Sequence, residues 1–175
     1  LAYSPHEYGQ SVGVQSWLRY DSNPSIPVGY PGNLYAVWQS HWGFIFENEI
    51  APIWIGEFGG HFGVDGNGNV TKPHATYEAQ WVEELCKYLN GDFDGDGDGE
   101  LEAGWKGMSF AYWSYNPNSG DTGGLVQDDW MTPQTVKLDL LAPLLDPVPP
   151  VVSDTLISEI GDILIGEDGS TLIAG

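Results

Sequence analysis

At 175 residues the chain is long enough for one domain with a substantial core. Five Lys and Arg against 25 Asp and Glu leave a formal charge of −20, which excludes nucleic acid and anionic membrane as partners, since both reward basic patches. The single cysteine, Cys86, excludes an internal disulfide, and no run of about 18 apolar residues is available to span a membrane.

The opening stretch LAYSPHEYG reads as the end of a strand entering a loop, and a connection rich in Pro, Gly, Ser and Tyr follows to about residue 33. In LYAVWQSHWGFIFENEI, Leu34, Val37, Trp38, Trp42, Ile45 and Phe46 recur at helical spacing, so a helix is predicted. Trp38 and Trp42, four residues apart, are assigned to core packing and to no ligand. APIWIGEFGG is a short apolar run between Pro52 and a Gly pair, read as a strand buried on both faces that runs into a turn. Glu57 ends that run, and a charge there is costly unless it is paired, solvated or working. A second helix, from about Thr76 to Leu89, carries Tyr77, Trp81, Leu85, Tyr88 and Leu89 and stops at Asn90-Gly91. Cys86 falls on it as a small buried hydrophobe. Past an acidic loop, GMSFAYWSYN supplies a third strand and TPQTVKLDLLAPLL a final helix with Pro133 near its first turn. Strands alternating with helices predict βα units and a parallel sheet.

His6 and Tyr8 after the first strand, Glu57 after the second and Trp113 in the third collect at strand C-termini, where a parallel barrel places catalytic groups. Eight Trp and nine Tyr exceed what a core of this size needs, and their faces suit the C–H faces of sugar rings. His41 and His61 are single imidazoles without metal-ligand spacing and are assigned surface or loop roles. YSPHEYG, IWIGEFGG and YWSYNPNSGDTGGLVQDDW, in that order, resemble the last three βα units of glycoside hydrolase family 5, and most closely its secreted bacterial endoglucanases. The resemblance covers residues 1 to about 145. It implies an α/β fold, the C-terminal portion (about three βα units) of a TIM (β/α)8 barrel, and an extracellular enzyme acting on polysaccharide, cellulose or a related β-glucan. It further implies that Glu57 is the nucleophile of a retaining glycosidase, that the Tyr8 hydroxyl donates to it, and that His6 lines the neighbouring subsite. Trp113 then matches the aromatic platform under the sugar whose bond is cut, with Asn116 and Asp121 lining the same mouth. No cofactor is required for this chemistry.

Retaining hydrolysis needs a second carboxylate about 5–5.5 Å from the nucleophile, which in the family is the Glu of an Asn-Glu-Pro motif. No Asn-Glu-Pro occurs in the sequence; Asn48-Glu49 falls at a predicted helix end and lacks the Pro, so it is rejected as a substitute. The expectation is a fragment, inactive alone, whose partner is the N-terminal part of the same barrel. Leu1 opens the chain without a basic or apolar leader, so a signal peptide is expected to lie outside it.

The loop NGDFDGDGDGELEAG holds six carboxylates between Asp92 and Glu102, and its Asp-x-Asp-x-Asp-Gly spacing resembles the first half of an EF-hand loop. Counting from Asp92 puts Ala103 at the twelfth position and counting from Asp94 puts Trp105 there, so neither frame supplies the bidentate Glu. Asp92, Asp94, Asp96 and Asp98 are the candidate ligands of a structural calcium, with Glu100 or Glu102 completing a partial cage. Residues 1–146 form the predicted barrel portion, 147–153 a Pro-rich linker and 154–175 an acidic tail. That tail repeats Leu-Ile at 156/157, 164/165 and 172/173, one residue short of the calcium-binding nonapeptide repeat, and is expected to be disordered or to begin another module. The alternatives are a mannanase or other β-glycanase of the same family, a non-catalytic carbohydrate-binding module, and a calcium-dependent structural segment. The predicted helices count against the binding module, which is usually a β-sandwich.

Overall fold

The computed structural model describes residues 1–20, 27–72, 76–102 and 106–145, and the backbone of Leu164–Ile165 and Thr171–Leu172. Strand β1 (His6–Tyr8) leads through a long loop to α1 (Asn33–Trp38), which runs on through a π turn (Gln39–Gly43) into α2 (Phe44–Glu47). Then come β2 (Trp54–Gly59), α3 (Tyr77–Leu89), β3 (Ser109–Tyr112) and α4 (Thr135–Leu141), which ends in a 3-10 turn, Ala142–Leu144. The chain divides into two compact units, Leu1–Leu144 and Leu145–Gly175. In the second, β4 (Leu164–Ile165) and β5 (Thr171–Leu172) pair antiparallel with Leu164 opposite Leu172. The predicted linker and the remaining tail residues lie outside the described residues.

The sheet of the first unit has the order β1-β2-β3. Both pairings are parallel, with His6 opposite Glu57, Tyr8 opposite Gly59 and Phe58 opposite Tyr112. Parallel neighbours need a crossover, and the helices between them supply it. A helix-covered parallel sheet counts against the binding-module alternative, since such modules are usually stacked antiparallel sheets.

Helix α3 has the clearest local code. Thr76, extended at the N-cap, accepts a bond from the Ala79 N–H at 3.2 Å, and Asn90 closes the other end. Between them Ala79, Val82, Leu85, Cys86 and Leu89 bury one stripe, packed in one cluster with Ile53, Ile55 and Phe58 of the sheet side and Leu34 and Trp38 of α1. Each such aliphatic burial contributes about 1.5–3 kcal/mol. Trp38 and Trp42 lie in this core as expected, and burial pushes the Cys86 thiol up to about 12.

Three expectations change. β2 is not buried on both faces: Ile55 is fully buried, but Trp54 is 51 % exposed, because the core cluster covers only the face carrying Ile53 and Ile55. Helix α4 starts later than Pro133 proposed, since Pro133 forms an antiparallel bridge with Val126 and the Gln134 N–H donates to the Leu125 carbonyl. Trp113 lies just beyond β3, held by its N–H donating to the Phe58 carbonyl at 2.8 Å.

The first helix carries a π turn where the Tyr88 ring of α3 reaches it. Tyr88 donates to Glu47 Oε1 at 2.6 Å, and a Cβ on Gly43 would run into the Tyr88 hydroxyl. Trp42 Nε1 donates to Glu7 Oε1 at 2.7 Å, tying the same helix to β1. Lys137 of α4 is fully buried; its ammonium donates to the Thr122 carbonyl at 2.5 Å, and burial lowers its pKa from 10.5 to about 8, with the Glu78 charge opposing that shift. Among the described residues no helix is long and apolar enough to cross a membrane.

Two outcomes follow from this packing. Gly43→Ala is expected to destabilise the fold by about 2–3 kcal/mol in urea unfolding, since neither Tyr88 nor the helix can yield. Between about pH 8 and pH 10.5 the unfolded chain holds the Lys137 proton more tightly than the folded chain, so this residue's destabilising cost is full below pH 8 and falls as pH rises. Measured against Lys137→Met, which cannot titrate, the native protein should therefore gain up to about 3 kcal/mol across that window.

Candidate active site

Parallel pairing brings the C-terminal ends of β1, β2 and β3 to one edge of the sheet. Register then does the rest. His6 stands opposite Glu57, and the β2–β3 pairing shifts between Ile55 and Phe58, an irregularity that re-aims the side chains around Glu57. Gly56, next to it, has no Cβ; one there would meet the Ser4 hydroxyl and come within 3.1 Å of His6 Nε2.

Glu57 is neither sealed in nor fully solvated: its side chain is 31 % exposed. Tyr8 Oη donates to Glu57 Oε2 at 2.5 Å, and His6 Nδ1 lies 3.3 Å from the same oxygen. One carboxylate oxygen is therefore held by two neighbours, which leaves Oε1 as the freer atom. Desolvation, then the bond to Glu57 and its charge, raise the Tyr8 phenol well above its ordinary value, so it stays a donor across the working pH range.

Around this pair the third loop contributes unevenly. Trp113 is 42 % exposed, an indole available to a flat ligand face. Asp121 is exposed and close enough for its charge to act on Tyr8. Asn116 turns into its own loop, its amide donating to Asn118 Oδ1 at 2.6 Å. His61 is half-buried; burial first, then the Lys137 charge, lower its pKa. A cavity of about 470 Å³ opens beside this edge, lined by Gln10, Ser11, Arg19, His61, Lys72 and Tyr77, and does not include Glu57. Glu49, in the rejected Asn48-Glu49 pair, follows α2 on the approach to β2, away from the strand C-termini.

In the acidic loop one carboxylate oxygen from each of Asp92, Asp94, Asp96 and Glu100 lies within 4.8 Å of the others. The expected Asp98 is not in this group; Glu100 takes its place, because the loop turns back so that the Glu100 N–H donates to the Gly91 carbonyl. Asp92 is buried, its oxygens accepting from the Gly95 and Gly97 N–H groups.

Sequence reasoning missed Glu78. This carboxylate of α3 is 7 % exposed and bonded to Ser11 and Phe62 in the loops after β1 and β2. A Glu in a helix's first turn looks like any dipole-favoured residue, and nothing local announces partners 67 and 16 positions away.

Residues 1–119 match the family model for cellulase, glycosyl hydrolase family 5. The chain is 38 % identical over 148 residues to an endoglucanase of Paenibacillus polymyxa, covering 85 % of this chain and 30 % of that protein. It is 37 % identical over 145 residues to the major extracellular endoglucanase of Xanthomonas campestris, covering 82 % of this chain and 23 % of the other. Among solved structures, an endocellulase from Pyrococcus horikoshii in complex with cellotetraose matches with a TM-score of 0.57 and 30 % identity over 83 % of this chain and 31 % of that one. The catalytic domain of the Xanthomonas campestris enzyme matches with a TM-score of 0.55 and 31 % identity. The chain thus spans about a third or less of the proteins it matches. With a parallel α/β fold and a family match over most of its length, the chain belongs to the cellulase family, glycosyl hydrolase family 5.

Proposed function

We propose that this chain is the nucleophile-bearing C-terminal portion, about three βα units, of a (β/α)8-barrel endoglucanase that cleaves internal β-1,4-glucosidic bonds with retention. The observation that carries this reading is the 2.5 Å bond from Tyr8 Oη to Glu57 Oε2 at the C-terminal edge of a parallel sheet. In the first step Glu57 attacks the anomeric carbon, the glycosidic C–O bond breaks, and the leaving oxygen takes a proton from a second carboxylate. In the second, water attacks the glycosyl-enzyme, returns that proton and frees Glu57. Tyr8 and His6 hold Oε2, so Oε1 faces the sugar; Trp113 stacks beneath it and Asp121 borders the mouth. Asn116 reaches the substrate only by leaving Asn118.

The acid/base is assigned to the N-terminal part of the same barrel, because no Asn-Glu-Pro occurs in this sequence, and the chain alone is expected to be inactive. The barrel portion is taken as residues 1–146, with 147–153 a linker and 154–175 a separate segment. A glucan backbone is favoured over a mannan because the relatives named above are endoglucanases, and export because one of them is named extracellular. In the complete enzyme, Glu57→Gln should lower turnover by about a thousandfold or more while cello-oligosaccharide binding persists. Unchanged turnover would reject the assignment.

The acidic loop is proposed as a structural calcium site of Asp92, Asp94, Asp96 and Glu100, on the grounds that four carboxylates this close need a counter-charge. Calcium a hundredfold above its Kd should raise the melting temperature by about 5–10 °C, and Asp92→Asn should remove that rise. No shift in the native protein would reject the site.

A further inference from the structure

We propose that Glu78 is a positioning residue for this reaction, setting the contact between Tyr8 and Glu57 by clamping the loops that leave β1 and β2. The inference rests on the reading of Glu57 as nucleophile. Glu78 is the second residue of α3, yet its carboxylate does not cap its own helix. Oε1 accepts from the Ser11 N–H at 2.8 Å and the Ser11 hydroxyl at 2.6 Å, and Oε2 accepts from the Phe62 N–H at 2.8 Å. Ser11 follows Tyr8 by three positions and Phe62 follows Glu57 by five, so one rigid group grips both chains just past the reacting side chains.

The fit is close on every side. A Cβ on Gly9 would stand 2.5 Å from Glu78 Oε1 and one on Gly60 2.7 Å, so the carboxylate lies directly on the backbone of both loops. Those segments are joined to each other where the Gly9 N–H donates to the Gly59 carbonyl at 3.1 Å, and again where the His61 N–H donates to Ser11 Oγ at 3.1 Å. The third loop is held from the same side: Lys137 donates to the Thr122 carbonyl, and Thr122 Oγ1 donates to the Trp113 carbonyl at 2.6 Å. The buried Lys137 ammonium also feels the Glu78 carboxylate, so a buried anion and a buried cation lie behind the site.

β1 is only three residues long, so its ladder alone gives Tyr8 little rigidity. Charge-assisted bonds to backbone N–H groups are about twice as strong as neutral ones, and they are what fixes the loop exits. A displacement of about 1 Å at a reacting pair costs about a hundredfold in rate, which makes this spacing consequential.

The test is a double-mutant cycle in the complete enzyme, read as kcat and KM on an aryl cellobioside. Glu78→Gln keeps the volume but turns an amide N–H toward a backbone N–H; kcat should fall by about 10–100-fold with KM within about twofold. In a Tyr8→Phe background the same change should cost less than about threefold, because the contact it sets is already gone. Ser11→Ala, which removes one of the three bonds, repeats the cycle with a smaller effect should Glu78→Gln not fold. Equal losses in both backgrounds, with Glu57→Gln inactive, would overturn the positioning role alone. Retained turnover in Glu57→Gln would overturn the site reading and this inference together.

Discussion

The parallel register that sets His6 opposite Glu57 is the constraint from which the site descends. Parallel strands present their C-termini on one side, so Tyr8 meets Glu57 across 49 positions of sequence, and Trp113, 56 positions beyond Glu57, comes to the same edge of the sheet. A slip of one residue would break the pairing of His6 with Glu57 and part Glu57 from the Tyr8 hydroxyl, and an unpaired carboxylate is costly. The apolar positions forbid that slip, because Ile53 and Ile55 would leave the core at the same time. Packing on one face of β2 therefore specifies chemistry at its end.

Charge is distributed in keeping with that division. With only five Lys and Arg in the chain, placing Lys137 wholly inside is a large commitment of positive charge. It is used at the junction of the third loop with α4, where a carbonyl needs a donor and a buried carboxylate needs a counter-charge. The chain as a whole remains strongly anionic, which repels acidic polymers.

The legible parts of the sequence were those whose signal is local. Periodicity located the helices, and strand-end motifs located His6, Tyr8, Glu57 and Trp113. What periodicity could not convey was sidedness: the run through Ile53, Trp54 and Ile55 looks uniformly apolar, yet only the isoleucines enter the core. Pro133 reads as a helix opener, but pairing with Val126 outcompetes that preference. The alternating aspartates imply an EF-hand frame, whereas the loop's return to Gly91 brings in Glu100 and leaves Asp98 aside. Glu78 and Lys137 were illegible for one reason: each is a charged residue in a helix whose partners lie in distant loops, and the sequence marks such residues as surface.

The fate of the lone thiol bears on where such a protein can be made. Cys86 is sealed among Leu85, Leu89 and Leu140, with burial holding its sulfur as the unreactive neutral form. Nothing in the described core waits on an oxidant or is threatened by a reductant. The packing of this core is in that sense redox-indifferent: neither a reducing nor an oxidising medium makes or breaks a covalent bond within it.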